Sequence, residues 1–210
     1  MQHILLVDDH PIITDSLKIV IENSIAHCET DVANDGETAF EKIKHNDYDL
    51  IIMDVSLPNT DSYSMVSNIL AIKPTSRILM FSMNSEEIFA KRYLKMGAMG
   101  FLRKDAPLDE IKNAIEIALN NNRYISQELK ENLLMDVLDN NNRENQFDKL
   151  SPREFEIVQH LVHGESVSEI SKKLNLHTST IGTHKARIFE KLRCDNIVEL
   201  VTMAKVHHIL

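Results

Sequence analysis

Residues 50–54 read Leu50-Ile51-Ile52-Met53-Asp54, four apolar side chains in a row closed by a carboxylate. An unbroken apolar run of this length suits a strand covered on both faces, as in a parallel sheet with helices above and below. The figure recurs at the start of the chain, where Ile4-Leu5-Leu6-Val7 is closed by Asp8-Asp9. It recurs again in Ile78-Leu79-Met80-Phe81, closed by Ser82, and in Phe101-Leu102, followed by Lys104. A weaker strand is expected from Cys28 to Ala33. Helical spacing fills the intervals: Ile13, Leu17, Val20 and Ser24 fall on one face after the first strand, and Ile111, Ala114, Ile115 and Ala118 after the last. Five strands alternating with five helices predict a doubly wound α/β domain with a parallel sheet and right-handed crossovers.

The residues that close the strands carry the chemistry. In open parallel sheets ligands bind beyond the carboxyl ends of the strands, near the point where the strand order reverses. Asp8, Asp9, Asp54, Ser82 and Lys104 are therefore expected on one rim. A small hard cation such as Mg2+ takes a few carboxylates plus water and commonly works beside a phosphate. A carboxylate next to it can attack phosphorus, while a lysine and a hydroxyl hold the phosphoryl oxygens. Any one of these residues alone is ordinary surface charge, helix cap or core. Their joint placement at successive strand ends is what points to a site.

The second half of the chain has a different texture. Residues from about Ser126 to Leu138 look helical, and Asp139-Asn140-Asn141-Asn142-Arg143-Glu144-Asn145-Gln146 reads as a flexible polar linker. Beyond it no strand pattern remains. Ser151-Pro152-Arg153-Glu154 and Ser166-Val167-Ser168-Glu169 are capping boxes, and Asn196-Ile197-Val198-Glu199 is a close variant. With a further helix from about Thr178 to Leu192 and a tight turn near Asn175, four short helices are predicted. The expected division is residues 1–122, a connecting segment 123–148 with a helix and the Asn-rich linker, and residues 149–210.

Bulk properties bound the function. Of 210 residues, 43% are apolar and 26% charged, and there is no Trp. The apolar runs are far too short to span a bilayer. Met1-Gln2-His3 does not resemble a signal peptide, and Cys28 and Cys194 suggest no disulfide framework, so a reduced, cytoplasmic protein is expected. The net charge of −9 argues against nucleic acid, but its distribution does not. Residues 1–125 hold 12 basic and 19 acidic side chains, whereas residues 150–210 hold 8 and 7. Within 180–193, Lys185, Arg187, Lys191 and Arg193 face only Glu190, a local basic stripe of the kind that meets phosphates. His160, His163, His207 and His208 form no convincing metal set and are read as structural or exposed.

Val7-Asp8-Asp9-His10-Pro11, Met53-Asp54-Val55-Ser56-Leu57-Pro58, Ser82-Met83-Asn84 and Gly97-Ala98-Met99-Gly100-Phe101-Leu102-Arg103-Lys104-Asp105-Ala106 resemble the receiver domains of bacterial response regulators, closest to the NarL/FixJ branch. The resemblance covers about residues 3–121. It implies strand order 2-1-3-4-5, with Asp54 accepting phosphate from a histidine kinase. It also implies that Asp9, Asp54 and the Ser56 carbonyl bind Mg2+, Asp8 reaching the ion through water. Ser82 and Phe101 would form a switch pair, and Lys104 would contact the phosphoryl group. The chain departs from the pattern at Pro58-Asn59-Thr60-Asp61-Ser62, which lacks the family's glycine, so an altered loop is expected there.

Residues 150–210 are similar to the LuxR-type helix-turn-helix. The resemblance rests on Leu150-Ser151-Pro152-Arg153-Glu154, Ile157-Val158, Gly164, Glu169-Ile170, Leu174, Thr180-Ile181, His184, Ile188 and Lys191-Leu192. In such domains a recognition helix lies in the major groove of double-stranded DNA. Lys185 and Arg187 are the expected contacts, with Thr180, Thr183 and His184 beside them. Gly182 stands where the family often has a Lys, and His177 where it prefers a capping Ser. The whole implies a transcription regulator, not an enzyme, switched by phosphate on Asp54 through release of the DNA domain or homodimer formation, with Leu200 and Val201 as a candidate dimer surface. The alternatives are a constitutive DNA binder whose receiver is a scaffold, an Asp-nucleophile phosphatase, and a nucleotide-binding domain. The last two are disfavoured, because there is no cap lobe and no Gly-rich loop after the first strand.

Overall fold

The computed structural model describes residues 1–58, 60–83, 86–138, 146–174, 176–207 and 209. Asn59, Asn84, Ser85, residues 139–145 of the expected linker, Asn175, near which a tight turn is expected, His208 and Leu210 lie outside the described residues. The chain divides into two compact units, Met1–Asp136 and Val137–Leu210.

In the first unit the closed apolar runs become strands and the periodic segments become helices. The order is β1 (Gln2–Val7), α1 (Pro11–Ser24), β2 (Cys28–Ala33), α2 (Gly36–His45), β3 (Leu50–Met53), α3 (Ser62–Ile72), β4 (Ile78–Ser82), α4 (Glu86–Met96), β5 (Gly100–Arg103), α5 (Leu108–Leu119) and α6 (Gln127–Leu138), the last two residues of α6 falling in the second unit. The sheet is parallel throughout, in the order β2-β1-β3-β4-β5. Ile4, Leu6, Ile52, Leu79 and Phe81 pack on one face with Leu17 and Ile21 of α1 and Ala114, Ile115 and Ala118 of α5. The alternate residues Leu5, Ile51, Met53 and Met80 point the other way and are equally buried, which is why the strands read as continuous apolar runs.

Two local points differ from the periodicity. On α1 the buried stripe is Thr14, Leu17 and Ile21, with Ile13, Val20 and Ser24 only partly covered. The helix is rotated from its expected face, so that the Thr14 hydroxyl donates to the Pro11 carbonyl at 2.9 Å beneath the loop. After α5 the chain straps itself to β5. The Tyr124 amide donates to the Met99 carbonyl at 2.7 Å, and the Tyr124 hydroxyl donates to the Glu110 carboxylate. A side chain at Gly100 would meet the Tyr124 carbonyl at 2.8 Å, so this close approach requires glycine.

The second unit is helical: a short 3-10 helix (Gln146–Lys149), α7 (Pro152–Val162), α8 (Val167–Lys173), α9 (Thr178–Leu192) and α10 (Ile197–Val206). Ser151 and Ser166 each complete a capping box, and Asn196 caps α10 by accepting from the Glu199 amide. Ile181, Ile188 and Leu192 turn the inner face of α9 into a core shared with Phe147, Phe155, Ile157, Val158, Ile170 and Leu200, all nearly inaccessible. Among the described residues no helix is long and apolar enough to cross a membrane.

Candidate functional site

Sheet register builds the first site. Val7 lies opposite both Ala33 and Met53. The Asp8 amide donates to the Ala33 carbonyl at 3.1 Å, and the Asp54 amide to the Val7 carbonyl at 2.9 Å. Asp8 and Asp54 thus leave adjacent strands side by side, where the strand order reverses between β1 and β3. Both are buried, with 4% and 3% of their side chains exposed. Lys104, following β5, lays its ammonium 2.6 Å from Asp8 Oδ2 and 2.7 Å from Asp54 Oδ2. Burial disfavours that charge, but the hydrogen bonds to Asp54 and Asp8 outweigh it and hold the lysine pKa above its ordinary value.

Asp9 stands beside the pair, partly exposed. Carboxylate oxygens of Asp8, Asp9 and Asp54 and a ring nitrogen of His10 all lie within 4.8 Å of one another. Asp9 Oδ1 is buried without forming a well-directed hydrogen bond, while Asp8 Oδ2 faces the Lys104 ammonium. Converging carboxylates with incompletely satisfied oxygens are the donor set a divalent cation completes. The Ser56 amide donates to Asp54 Oδ1 at 3.1 Å, which fixes the β3–α3 loop against the acceptor carboxylate. Ser82 ends β4 fully buried, and its carbonyl accepts from the Lys104 amide at 3.0 Å. Phe101 is buried in β5, its ring centroid 6.3 Å from that of Tyr93.

The loop lacking a glycine resolves simply. Asp61 caps α3, accepting from the Tyr63 amide at 3.2 Å and the Ser64 hydroxyl at 2.7 Å, and Ser62 begins the helix. The described non-glycine residues with positive φ are His27, Asn121 and Arg193, so neither Asp61 nor Ser62 adopts the conformation that favours glycine. The Ser62 hydroxyl is buried and donates to the Val55 carbonyl.

The second site is the outer face of α9. Ser179, Gly182, Thr183, Ala186 and Arg187, spaced as one helical face, are exposed. Thr180, His184 and Lys185 are half-buried on its flanks. The Lys185 ammonium sits 5.4 Å from the Phe189 ring centroid, and the Thr183 hydroxyl donates back to the Ser179 carbonyl at 3.0 Å. Lys191 leaves the basic stripe: its ammonium is 2.6 Å from Glu154, the carboxylate that closes the α7 capping box. Burial would raise the Glu154 pKa, but Lys191 and Ser151 outweigh it and hold the carboxyl below its ordinary value. The sequence reading leaves Ser179 and Ala186 out of this face, although helical spacing from Thr183 reaches both. The sequence reading assigns His10 no role, although a histidine directly after two carboxylates is itself a signal.

Residues 4–116 match the family model described as response regulator receiver domain, and residues 148–204 match that of bacterial regulatory proteins, luxR family. The chain is 32% identical to the Fimbriae Z protein of Salmonella typhimurium over 207 residues, covering 99% of this chain and 98% of that one. It is 28% identical to the response regulator UvrY of Escherichia coli K12, covering 99% and 95%. Among solved structures, RcsB from Salmonella enterica serovar Typhimurium, bound to promoter rprA with the phosphomimetic BeF3−, shares the fold with a TM-score of 0.67 at 23% identity, over 96% of this chain and 97% of that one.

Proposed function

Since this chain belongs to the two-component response regulators, transcription regulators that join a receiver domain to a LuxR-type DNA-binding domain, we propose that Asp54 is its phosphoacceptor and the outer face of α9 its DNA reader. The observation that carries the first assignment is the seat of Asp54: buried at the strand-order reversal, between Asp8, Asp9 and the Lys104 ammonium.

The mechanism follows from the chain's own groups. An Asp54 carboxylate oxygen attacks the phosphorus of a phosphohistidine on a sensor kinase; the O–P bond forms, the N–P bond breaks, and the imidazole leaves. Asp9, Asp54 and the Ser56 carbonyl would hold Mg2+, with Asp8 reaching it through water. When bound, the ion would supply charge neutralisation for the phosphoryl transfer. Lys104, already 2.7 Å from Asp54, moves onto a phosphoryl oxygen, and the Ser82 hydroxyl takes another. Ser82 moving toward the phosphate gives Phe101 room to follow, and the packed core converts the shift into a second arrangement of the receiver face. Homodimer formation then brings two copies of α9 to two half-sites in double-stranded DNA. Thr183 and Arg187 meet the groove and its phosphates, flanked by Thr180, His184 and Lys185. On this reading residues 1–122 are the receiver, 123–148 the connector and 149–210 the DNA reader, and the protein works in the cytoplasm beside its DNA.

The test is intact-mass measurement after incubation with Mg2+ and acetyl phosphate. The chain is expected to gain one phosphoryl group and Asp54→Asn none; equal labelling of both would remove Asp54 from its role. Light scattering with beryllium trifluoride then reads assembly. A dimer formed only in the wild type supports the switch, whereas a dimer under all conditions favours a receiver that merely scaffolds.

A further inference from the structure

Pro11 opens α1, and its ring confines the residue before it to extended backbone; His10 accordingly sits at φ −101° and ψ 105°. Its amide donates to Asp8 Oδ1 at 2.9 Å, which locks the β1–α1 loop against the rim. The imidazole is held over the carboxylates as a result. Nδ1 is 2.9 Å from Asp9 Oδ1 and 3.2 Å from Asp8 Oδ1, although 65% of the His10 side chain faces solvent. Despite the short separation, Asp9 Oδ1 receives no directed hydrogen bond.

These spacings have a chemical meaning. Neighbouring ligands of an octahedral ion with bonds of about 2.1 Å stand roughly 3 Å apart. Nδ1 and Asp9 Oδ1 have that separation, and the group including Asp8 and Asp54 fits within 4.8 Å. We propose that His10 is a nitrogen ligand of the rim's divalent cation, giving the site a preference for borderline first-row ions such as Co2+ and Ni2+ that an all-oxygen set would lack. Imidazole suits borderline ions of this kind, whereas Mg2+ takes oxygen and holds its waters. This inference rests on the reading of the rim as a cation site and adds to it a residue and a selectivity. A ring largely open to solvent suits the role, because it can seat on an entering ion without repacking the core.

The measurement is calorimetric titration of the untagged full chain with Mg2+, Ni2+ and Co2+, in the wild type and in His10→Ala, with pulsed EPR of the Mn2+-loaded protein as a probe of ligation. Removal of His10 is expected to weaken Co2+ and Ni2+ binding by about tenfold or more, and Mg2+ binding by no more than about twofold. The wild-type EPR signal is expected to show nitrogen coupling that the variant loses. Equal losses for all three ions, or bound Mn2+ without nitrogen coupling, would overturn the ligand role while leaving the carboxylate site intact. If the wild type binds no divalent ion, the cation site itself falls and this inference falls with it. Asp9→Asn, expected to weaken all three ions alike, keeps the two failures distinguishable.

Discussion

The rim beyond β3 and the outer face of α9 both carry charge, and they hold it in opposite ways. On the rim, Lys104, Asp8 and Asp54 are nearly sealed from water, each within ion-pair distance of another. On α9 the exposed cation Arg187 stands among Ser179, Gly182, Thr183 and Ala186, while Lys191, also exposed, is paired with the buried Glu154 carboxylate. Buried charges must be paired and pre-placed, which is what phosphoryl transfer requires. Exposed charges contribute through long-range attraction to phosphates and are screened by salt. The proposed phosphoacceptor thus sits among paired charges at a fixed point, and the proposed DNA reader offers an exposed face.

The sharpest way to break this contrast is to remove the central cation. Lys104→Ala leaves two adjacent buried carboxylates uncompensated and is expected to cost about 3 kcal/mol in denaturant unfolding. Added Mg2+ should restore part of that loss, and a variant as stable as the wild type would show that the rim is wetter than its burial implies.

Glu154→Gln should destabilise the second unit by about 1–2 kcal/mol, by weakening both the capping box and the Lys191 pair. The pH dependence has a definite sign. The folded-state pKa of Glu154 is lowered, so its contribution is present above the ordinary carboxyl value of 4.5 and is lost as pH falls below it. Thermal melts from pH 6 downward should therefore converge for wild type and variant, and parallel curves would contradict the assignment.

On the exposed face the effects are smaller and salt-dependent. Arg187→Ala should weaken DNA binding about tenfold at low salt and reduce the salt slope by about one, with no change in melting temperature. Gly182→Ala should be the mildest change. A side chain there meets nothing within 4 Å, so gained helix propensity should stabilise the second unit by up to about 1 kcal/mol.

The same contrast governs what the sequence discloses. The strands and rim were legible because continuous burial leaves continuous apolar runs, and the runs of β1, β3 and β4 close on Asp8, Asp54 and Ser82. The capping boxes marked α7 and α8 because their chemistry is local. The rotated face of α1 was not legible, since Ile12, Ile13, Ile19 and Ile21 are equivalent in hydropathy and only packing separates them: Ile12 is 80% exposed and Ile21 1%. The withdrawal of Lys191 into a pair with Glu154, 37 positions earlier, is likewise a tertiary event that no helical spacing encodes. The glycine-free loop was legible as a departure, but its outcome depended on Asp61 finding the α3 amides.

The strap at Tyr124 bears on how the first unit can be cut. β5 is the terminal strand of the sheet, and the amide of Tyr124 covers the carbonyl of Met99 at the start of its free side. A receiver ended before residue 124 would bare that backbone beside Gly100, which offers no side chain to shield it. Unpaired strand borders recruit further strands from neighbouring molecules. A fragment meant to stay monomeric should therefore run past Tyr124, so that the sheet keeps the chain segment that closes it against its own copies.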